Sequence, residues 1–240
     1  ALTRPLVDAG WDVHLWGTWL DDHLIDAIEA GPPHPRINVV ISNKVTTYRS
    51  EQLAEALEGA DVVVMSVSSE GVPGVAKLAL PLLGNAQAMW MTSKGFCPDP
   101  DGNIQLLPDA LRRIAGELGV QIPPIVAIAG PVKANECADA KPTATMYGCR
   151  DIEVAKAAAR AARTPNYAIA ASGDEVGVEI CAPMKNVNEI ALGIADGLEE
   201  ATGVPHHNLK AASFAQAIRE MSLLGQKLGA KPETAYDLPG

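Results

Sequence analysis

The sequence predicts an α/β fold: a mostly parallel sheet, followed by an all-helical region. Three observations carry that expectation. Short apolar runs alternate with amphipathic helical patterns as far as Gly173, the order that builds a parallel sheet with helices on its faces. The run from Asp61 through Val62, Val63, Val64, Met65 and Ser66 to Val67 is too continuously apolar for a half-exposed sheet and reads as a buried, central parallel strand. Beyond Gly173 strand signals stop, and residues 176–198 and 208–228 carry two long helical patterns.

The elements follow in order. Residues 1–9 are apolar and end at Asp8-Ala9-Gly10, a helix terminus, and residues 12–16 then alternate polar and apolar before Gly17. Residues 19–29 read as a helix closed by Ala30-Gly31-Pro32-Pro33, with short extended pieces expected at 39–41 and 45–48. Ser50 suits an N-cap, with Leu53, Ala54, Leu57 and Ala60 along one face. A helix over 71–83, a strand over 88–91, a turn-rich excursion over 98–103, a helix over 106–118 and a buried strand over 125–129 come next. Extended pieces at 143–146 and 167–170 flank a helix over 152–162, and no internal repeat or low-complexity linker interrupts them.

Composition excludes several functions. The chain has 240 residues, 48% of them hydrophobic, enough for one large or two modest domains. No apolar run reaches the roughly 18 residues that cross a bilayer, and the first residues lack a secretory signal, so a cytoplasmic protein is expected. A net charge of −10 disfavours nucleic acid and anionic membrane as partners. A small anionic substrate stays open, because Lys94, Lys133 and Lys185 could line a positive pocket. Cys97, Cys137, Cys149 and Cys181 contain no Cys-x-x-Cys pair, and the adjacent His206 and His207 point apart on a helix, so no metal site is expected.

This order of elements is that of a Rossmann-like dinucleotide-binding domain, in which the second strand ends near the adenosine ribose and ligands meet the carboxyl ends of the strands. Residues 12–16 then supply that second strand, and Gly17-Thr18 the turn at the ribose. No acidic residue sits at the turn itself, although Asp21 and Asp22 are near; NAD and NADP are both open. Thr92-Ser93-Lys94-Gly95 and Gly130-Pro131 close two further strands. Within the helical run, Lys185 beside Asn186 could exchange a proton with a substrate hydroxyl; the competing reading is an ion pair with Glu189, four residues on.

In combination these motifs resemble the NAD(P)-dependent glycerol-3-phosphate dehydrogenase family along nearly the whole chain. The matching stretches are Val13-His14-Leu15-Trp16-Gly17, the segment from Leu57 to Val64, Thr92-Ser93-Lys94-Gly95, Ala129-Gly130-Pro131, Gly177-Val178-Glu179 and Lys185-Asn186-Val187. Ile194 to Leu198, Glu220 to Gly225 and Leu228-Gly229-Ala230 complete them. The resemblance implies hydride transfer between NAD or NADP and a small phosphorylated polyol, glycerol 3-phosphate, with a homodimer as the expected assembly. It implies Lys185, Lys94 and Asn186 as catalytic residues. Thr18, Lys94 and Ala134 would contact the cofactor, and Lys94, Gly130, Val132 and Lys185 the substrate.

Departures keep two alternatives open: a related hydroxyacid or ketopantoate-type reductase, and a non-catalytic nucleotide-binding homologue. Val132 stands where a small hydroxyl residue is usual, and Lys133 where an aromatic is. Pro183 interrupts the helical run just before Lys185, implying a kink or a helix start. The expected architecture is a dinucleotide-binding domain over 1–173 lacking its first strand and glycine loop, then a partial all-α domain over 174–240. As such, the chain is expected to bind the cofactor weakly or not at all.

Overall fold

Valine, methionine and alanine build the sheet, and amphipathic segments cover both its faces, in the computed structural model, which describes residues 1–240. Helix α1 (Thr3–Asp8) leads into strand β1 (Val13–Trp16), and α2 (Asp22–Glu29) into β2 (Val45–Tyr48), which pairs with β1 in parallel. Helix α3 (Leu53–Leu57), β3 (Val62–Met65), α4 (Val72–Ala79) and β4 (Ala88–Met91) follow. The hairpin β5 (Phe96–Pro98) and β6 (Ile104–Leu106) then precedes α5 (Leu107–Leu118) and β7 (Ile125–Ala129). Helix α6 (Ala134–Ala138), β8 (Thr143–Gly148), α7 (Ile152–Ala162) and β9 (Tyr167–Ser172) complete the sheet region. Two long helices remain, α8 (Glu175–Thr202) and α9 (His207–Lys227).

The main sheet has the order β3-β4-β7-β8-β9, parallel throughout except between β7 and β8. Alternation along β4 divides the core in two, because successive side chains of a strand point to opposite faces. Met89 and Met91 join Val72, Val75, Leu111 and Ile114 under α4 and α5. Trp90 joins Leu6, Tyr147, Ala155, Ala158 and Ala162 on the face covered by α1 and α7.

Several expectations are corrected. The valine-rich β3 is not central: it forms one edge of the five-stranded sheet, and its burial alternates, whereas β4 and β7 are buried at every residue. Strands β1 and β2 form a separate two-stranded ladder. Residues 39–41 form no strand, and α2 begins at Asp22 rather than at 19, leaving Trp19 and Leu20 exposed. Ser50 is not an N-cap, because its hydroxyl is bound to Asp22 and it starts a short 3-10 turn (Ser50–Gln52) ahead of α3. The excursion after β4 is a paired hairpin, and the short α6 was not foreseen.

Pro183 neither begins nor ends a helix, since α8 runs unbroken past it. Proline has no N–H to donate to the carbonyl of Glu179 four residues back, so tertiary packing holds the helix there. Its first turn is tied down twice. Asp174 accepts hydrogen bonds from the Gly177 N–H at 2.9 Å, the Lys231 N–H at 2.9 Å and the Thr234 hydroxyl at 2.5 Å. Glu175, almost fully buried, takes both guanidinium arms of Arg112 at 2.7 Å and Nε of Arg150 at 3.2 Å. Stranding such a carboxylate by removing its partner costs roughly 3–5 kcal/mol.

One turn further along, Glu179 is buried without any such partner, and its Oε1 accepts no hydrogen bond. Burial, reinforced by the charges of Glu175 and Asp109, raises its carboxyl well above the ordinary value of 4.5. Above pH 4.5 the native state therefore holds a proton that the unfolded chain has released, so this group makes stability fall as pH rises through the interval up to its folded value. Glu179→Gln, which keeps the shape and removes the titration, should raise the thermal midpoint relative to the unsubstituted chain, by a margin that widens from pH 5 to pH 8. Melting curves read by circular dichroism across that range check this; a margin independent of pH would contradict it.

Candidate active site

The carboxyl end of β7 packs against α8, and the loops after β3, β4 and β7 carry side chains able to do chemistry. The loop after β4 carries Lys94, held in place by hydroxyls. Ser66 after β3 and Thr92 after β4 share a hydrogen bond of 2.6 Å, and the Ser93 hydroxyl donates to the Val67 carbonyl at 2.6 Å. Gly95 has φ +143°, and a Cβ there would lie 2.5 Å from the Ser69 hydroxyl, so the loop turns sharply and leaves Lys94 exposed. Of these serines, Ser69 has no sequence signal beyond the recurrence of Ser66, Ser68 and Ser69 after β3.

Gly130 ends β7 against β8. A Cβ on it would lie 2.9 Å from the Thr145 Cα, and the buried Thr145 hydroxyl donates to the Ala129 carbonyl at 2.8 Å. The close approach of β8 therefore requires a glycine at this buried position. The Gly130 carbonyl accepts from the Val132 N–H at 2.8 Å and from Lys185 Nζ at 3.4 Å. Lys185 is thus turned to the end of the sheet, its side chain 22% exposed, with Glu189 Oε1 3.8 Å from the ammonium. The ion pair with Glu189 is thus present, and the ammonium also faces the Gly130 carbonyl.

Burial lowers the pKa of Lys185; Glu189 opposes the shift and the charge of Lys94 adds to it. Burial prevails because it weakens hydration of the ammonium directly, whereas Glu189 is more than half exposed and its field is screened. The result is an amine drawn toward the neutral form beside a carbonyl and a second cation, the setting in which a lysine exchanges protons.

The other expected residues are spread around this centre. Asn186 is exposed and its side chain makes no hydrogen bond, and Val132 is half-buried against the core beneath α1 and α7. Lys133 and Ala134 are exposed, with Ala134 opening α6 after β7. Thr18 is buried at the carboxyl end of β1, on the separate ladder, where its hydroxyl donates to Asp21 at 2.6 Å. Lys185 and Gly130 are brought into contact and the charge of Lys94 acts on Lys185; Thr18 lies apart from them, at the end of β1. No group of three His, Cys, Asp or Glu side chains is arranged to hold a metal ion.

Residues 1–155 match the model of the NAD-dependent glycerol-3-phosphate dehydrogenase N-terminus, and residues 174–240 that of its C-terminus. The chain belongs to this family. A relative from Archaeoglobus fulgidus named NADP(+)-dependent glycerol-3-phosphate dehydrogenase is 35% identical over 240 residues, covering all of this chain and 70% of its own length. One from Geobacter sulfurreducens, glycerol-3-phosphate dehydrogenase [NAD(P)+], is 32% identical, again over all of this chain and 68% of its own. The crystal structure of glycerol-3-phosphate dehydrogenase from Coxiella burnetii superposes with a TM-score of 0.82 at 28% identity, covering 100% of this chain and 69% of that one. All three are glycerol-3-phosphate dehydrogenases by name, the first two with NADP or NAD(P) in the name, and the chain spans roughly two thirds of their length.

In this family member the geometry around Lys185 makes a test independent of turnover. Acylation of amines by acetic anhydride, followed residue by residue by mass spectrometry against pH, should show Lys185 becoming reactive at lower pH than the exposed Lys133. Lys94→Gln should move the Lys185 curve to higher pH and Glu189→Gln to lower pH, because the first removes a repelling charge and the second an attracting one. Unmoved curves in both variants would show that these charges do not act on Lys185.

Proposed function

We propose that the protein carrying this chain transfers hydride between a nicotinamide cofactor and carbon 2 of glycerol 3-phosphate, with dihydroxyacetone phosphate as the ketone. The observation that carries the reading is Lys185, partly desolvated, its ammonium turned to the Gly130 carbonyl and under the charge of Lys94. In oxidation the neutral Lys185 amine accepts the proton of the substrate hydroxyl as the C–H bond gives up its hydride. In reduction its ammonium donates a proton to the carbonyl oxygen. Lys94, exposed at the strand end, offsets the negative charge of the phosphorylated substrate and of the cofactor. Gly130 lets the substrate approach the backbone, with Val132 beside it and Asn186 on the next position of α8.

The donor set fits a dinucleotide at its ribose and nicotinamide ends. Hydroxyls of Thr18, Ser66 and Thr92, the Lys94 ammonium and the start of α6 at Ala134 all lie at strand carboxyl ends, where such ligands bind. The sequence contains no G-x-G-x-x-G, so these residues contribute the contacts of this chain rather than a phosphate cradle. When bound, the nicotinamide supplies or receives the hydride; the names of the Archaeoglobus fulgidus and Geobacter sulfurreducens relatives print NADP and NAD(P).

The reading divides the chain into a nucleotide-binding unit over 1–173 and a helical substrate unit over 174–240. It includes a homodimer, supported by Val187, Ile190 and Ile194, which expose an apolar stripe along α8. No helix is long and apolar enough to cross a membrane. Four buried, unpaired cysteines suit the reducing cytoplasm.

The test is oxidation of NADH or NADPH by dihydroxyacetone phosphate, with ketopantoate and simple keto acids as competitors for the assignment. Turnover should be confined to the phosphorylated ketone, and Lys185→Ala should lower kcat by roughly 10²–10⁴, the usual worth of a proton-transfer group, with nucleotide affinity retained. Preference for a carboxylate substrate would move the protein to the ketopantoate-type reductases, and unchanged turnover in Lys185→Ala would remove the lysine from the chemistry.

A further inference from the structure

Two acceptors face the Lys185 ammonium: the Gly130 carbonyl at 3.4 Å and Glu189 Oε1 at 3.8 Å. An ammonium carries three N–H donors, so one is left for a substrate oxygen. The Glu189 carboxylate is more than half exposed and makes no hydrogen bond and no second ion pair.

This pair is a poor brace for the helix. Glutamate four residues ahead of lysine is the order that supports a helix, and here the lysine comes first. The pair also sits in the middle of α8, away from the ends where a charge meets the helix dipole. Its looseness sets it apart from Lys210 on α9, which is gripped by both Asp196 and Glu199, hydrogen bonds that raise its pKa. Lys185 has a carboxylate near enough to feel its charge and too far for a hydrogen bond, so the ammonium is held without being locked.

Protonation gives this arrangement a direction. Reduction of a ketone draws a proton from an ammonium, whereas oxidation of an alcohol needs the neutral amine. The charges that bear on Lys185 are Glu189 on its own helix and Lys94 on the loop after β4, while β7 brings the Gly130 carbonyl. Glu189 and the carbonyl both favour the donor form.

We propose that Glu189 is a positioning residue: with Gly130 it orients the Lys185 ammonium and holds the resting site in the proton-donating form, which tunes the protein to ketone reduction. The assignment rests on the hydride-transfer reading above and deepens it.

The test is the pH dependence of kcat/KM, which follows the free enzyme, measured in both directions on the protein carrying this chain, with dihydroxyacetone phosphate and with glycerol 3-phosphate. In Glu189→Gln the rising limb of the oxidation profile should move to lower pH, a gain of about two- to fivefold along that limb, the scale of an exposed ion pair. The falling limb of reduction should move the same way, with a matching loss. Glu189→Asp, which keeps the charge, should stay near the unsubstituted profile, and higher ionic strength should shrink the gap between Glu189→Gln and the unsubstituted protein. Glu199→Gln removes a carboxylate of the same helix that serves Lys210 and should leave both limbs in place. Plateaus raised in both directions with the limbs unmoved would show that Glu189 acts only by repelling an anionic substrate, and would overturn the proposal, as would equal displacement in Glu199→Gln. Lys185→Ala separates this proposal from the reading beneath it. Full activity without the lysine, or no turnover of either substrate by the unsubstituted protein, overturns both; loss of turnover in Lys185→Ala with unmoved limbs in Glu189→Gln overturns the role of Glu189 alone.

Discussion

The buried clamp on the first turn of α8 is the interaction on which the site depends. Lys185 lies ten residues beyond Glu175, about 15 Å along the helix, so a small tilt at the clamp would carry its ammonium away from the Gly130 carbonyl. Arg112 and Arg150 grip Glu175 from one side, and Thr234 with the Lys231 N–H grips Asp174 from the other. The clamp thereby joins α5, the loop before α7, the start of α8 and the last residues of the chain at one point. Buried ion pairs contribute little net stability compared with apolar packing of the same volume; what this one contributes is a fixed direction for α8.

Two carboxylates on neighbouring turns of that helix differ in their partners. Glu175 is surrounded by guanidinium groups, whereas Glu179 has only desolvation and two neighbouring carboxylates. The same principle governs Lys185, where the loss of hydration outweighs an exposed anion. Burial thus sets the direction of the shift in both Glu179 and Lys185.

Much of the sheet was legible because its signals are local. The apolar runs at β4 and β7 and the helices α5 and α7 follow from periodicity, and the end of β4 marked Lys94 as a candidate. Spatial order was not legible. The valine run of β3 reads as a central strand, but its place at an edge depends on which strands pair beside it, and no residue within it encodes that. Ser50 misled for a similar reason: its hydroxyl had a competing partner, Asp22, 28 residues away in sequence. Pro183 read as a kink or a helix start because local propensity counts the lost N–H and cannot count the packing of α8 on β7 and β8.

The amino-acid sequence by itself determined the alternation of strands and helices, the family motifs and the identity of the lysines, since each is a property of neighbouring residues. Only the tertiary structure decided which charges meet. It turned Lys185 to Gly130 as well as to Glu189, left Glu179 without a counterion, and separated Asp21 from Asp22 by giving one of them to Ser50. Those outcomes depend on distances between segments far apart in the chain, and in a low-dielectric interior a shift of a few ångströms changes the sign of what a charged group prefers.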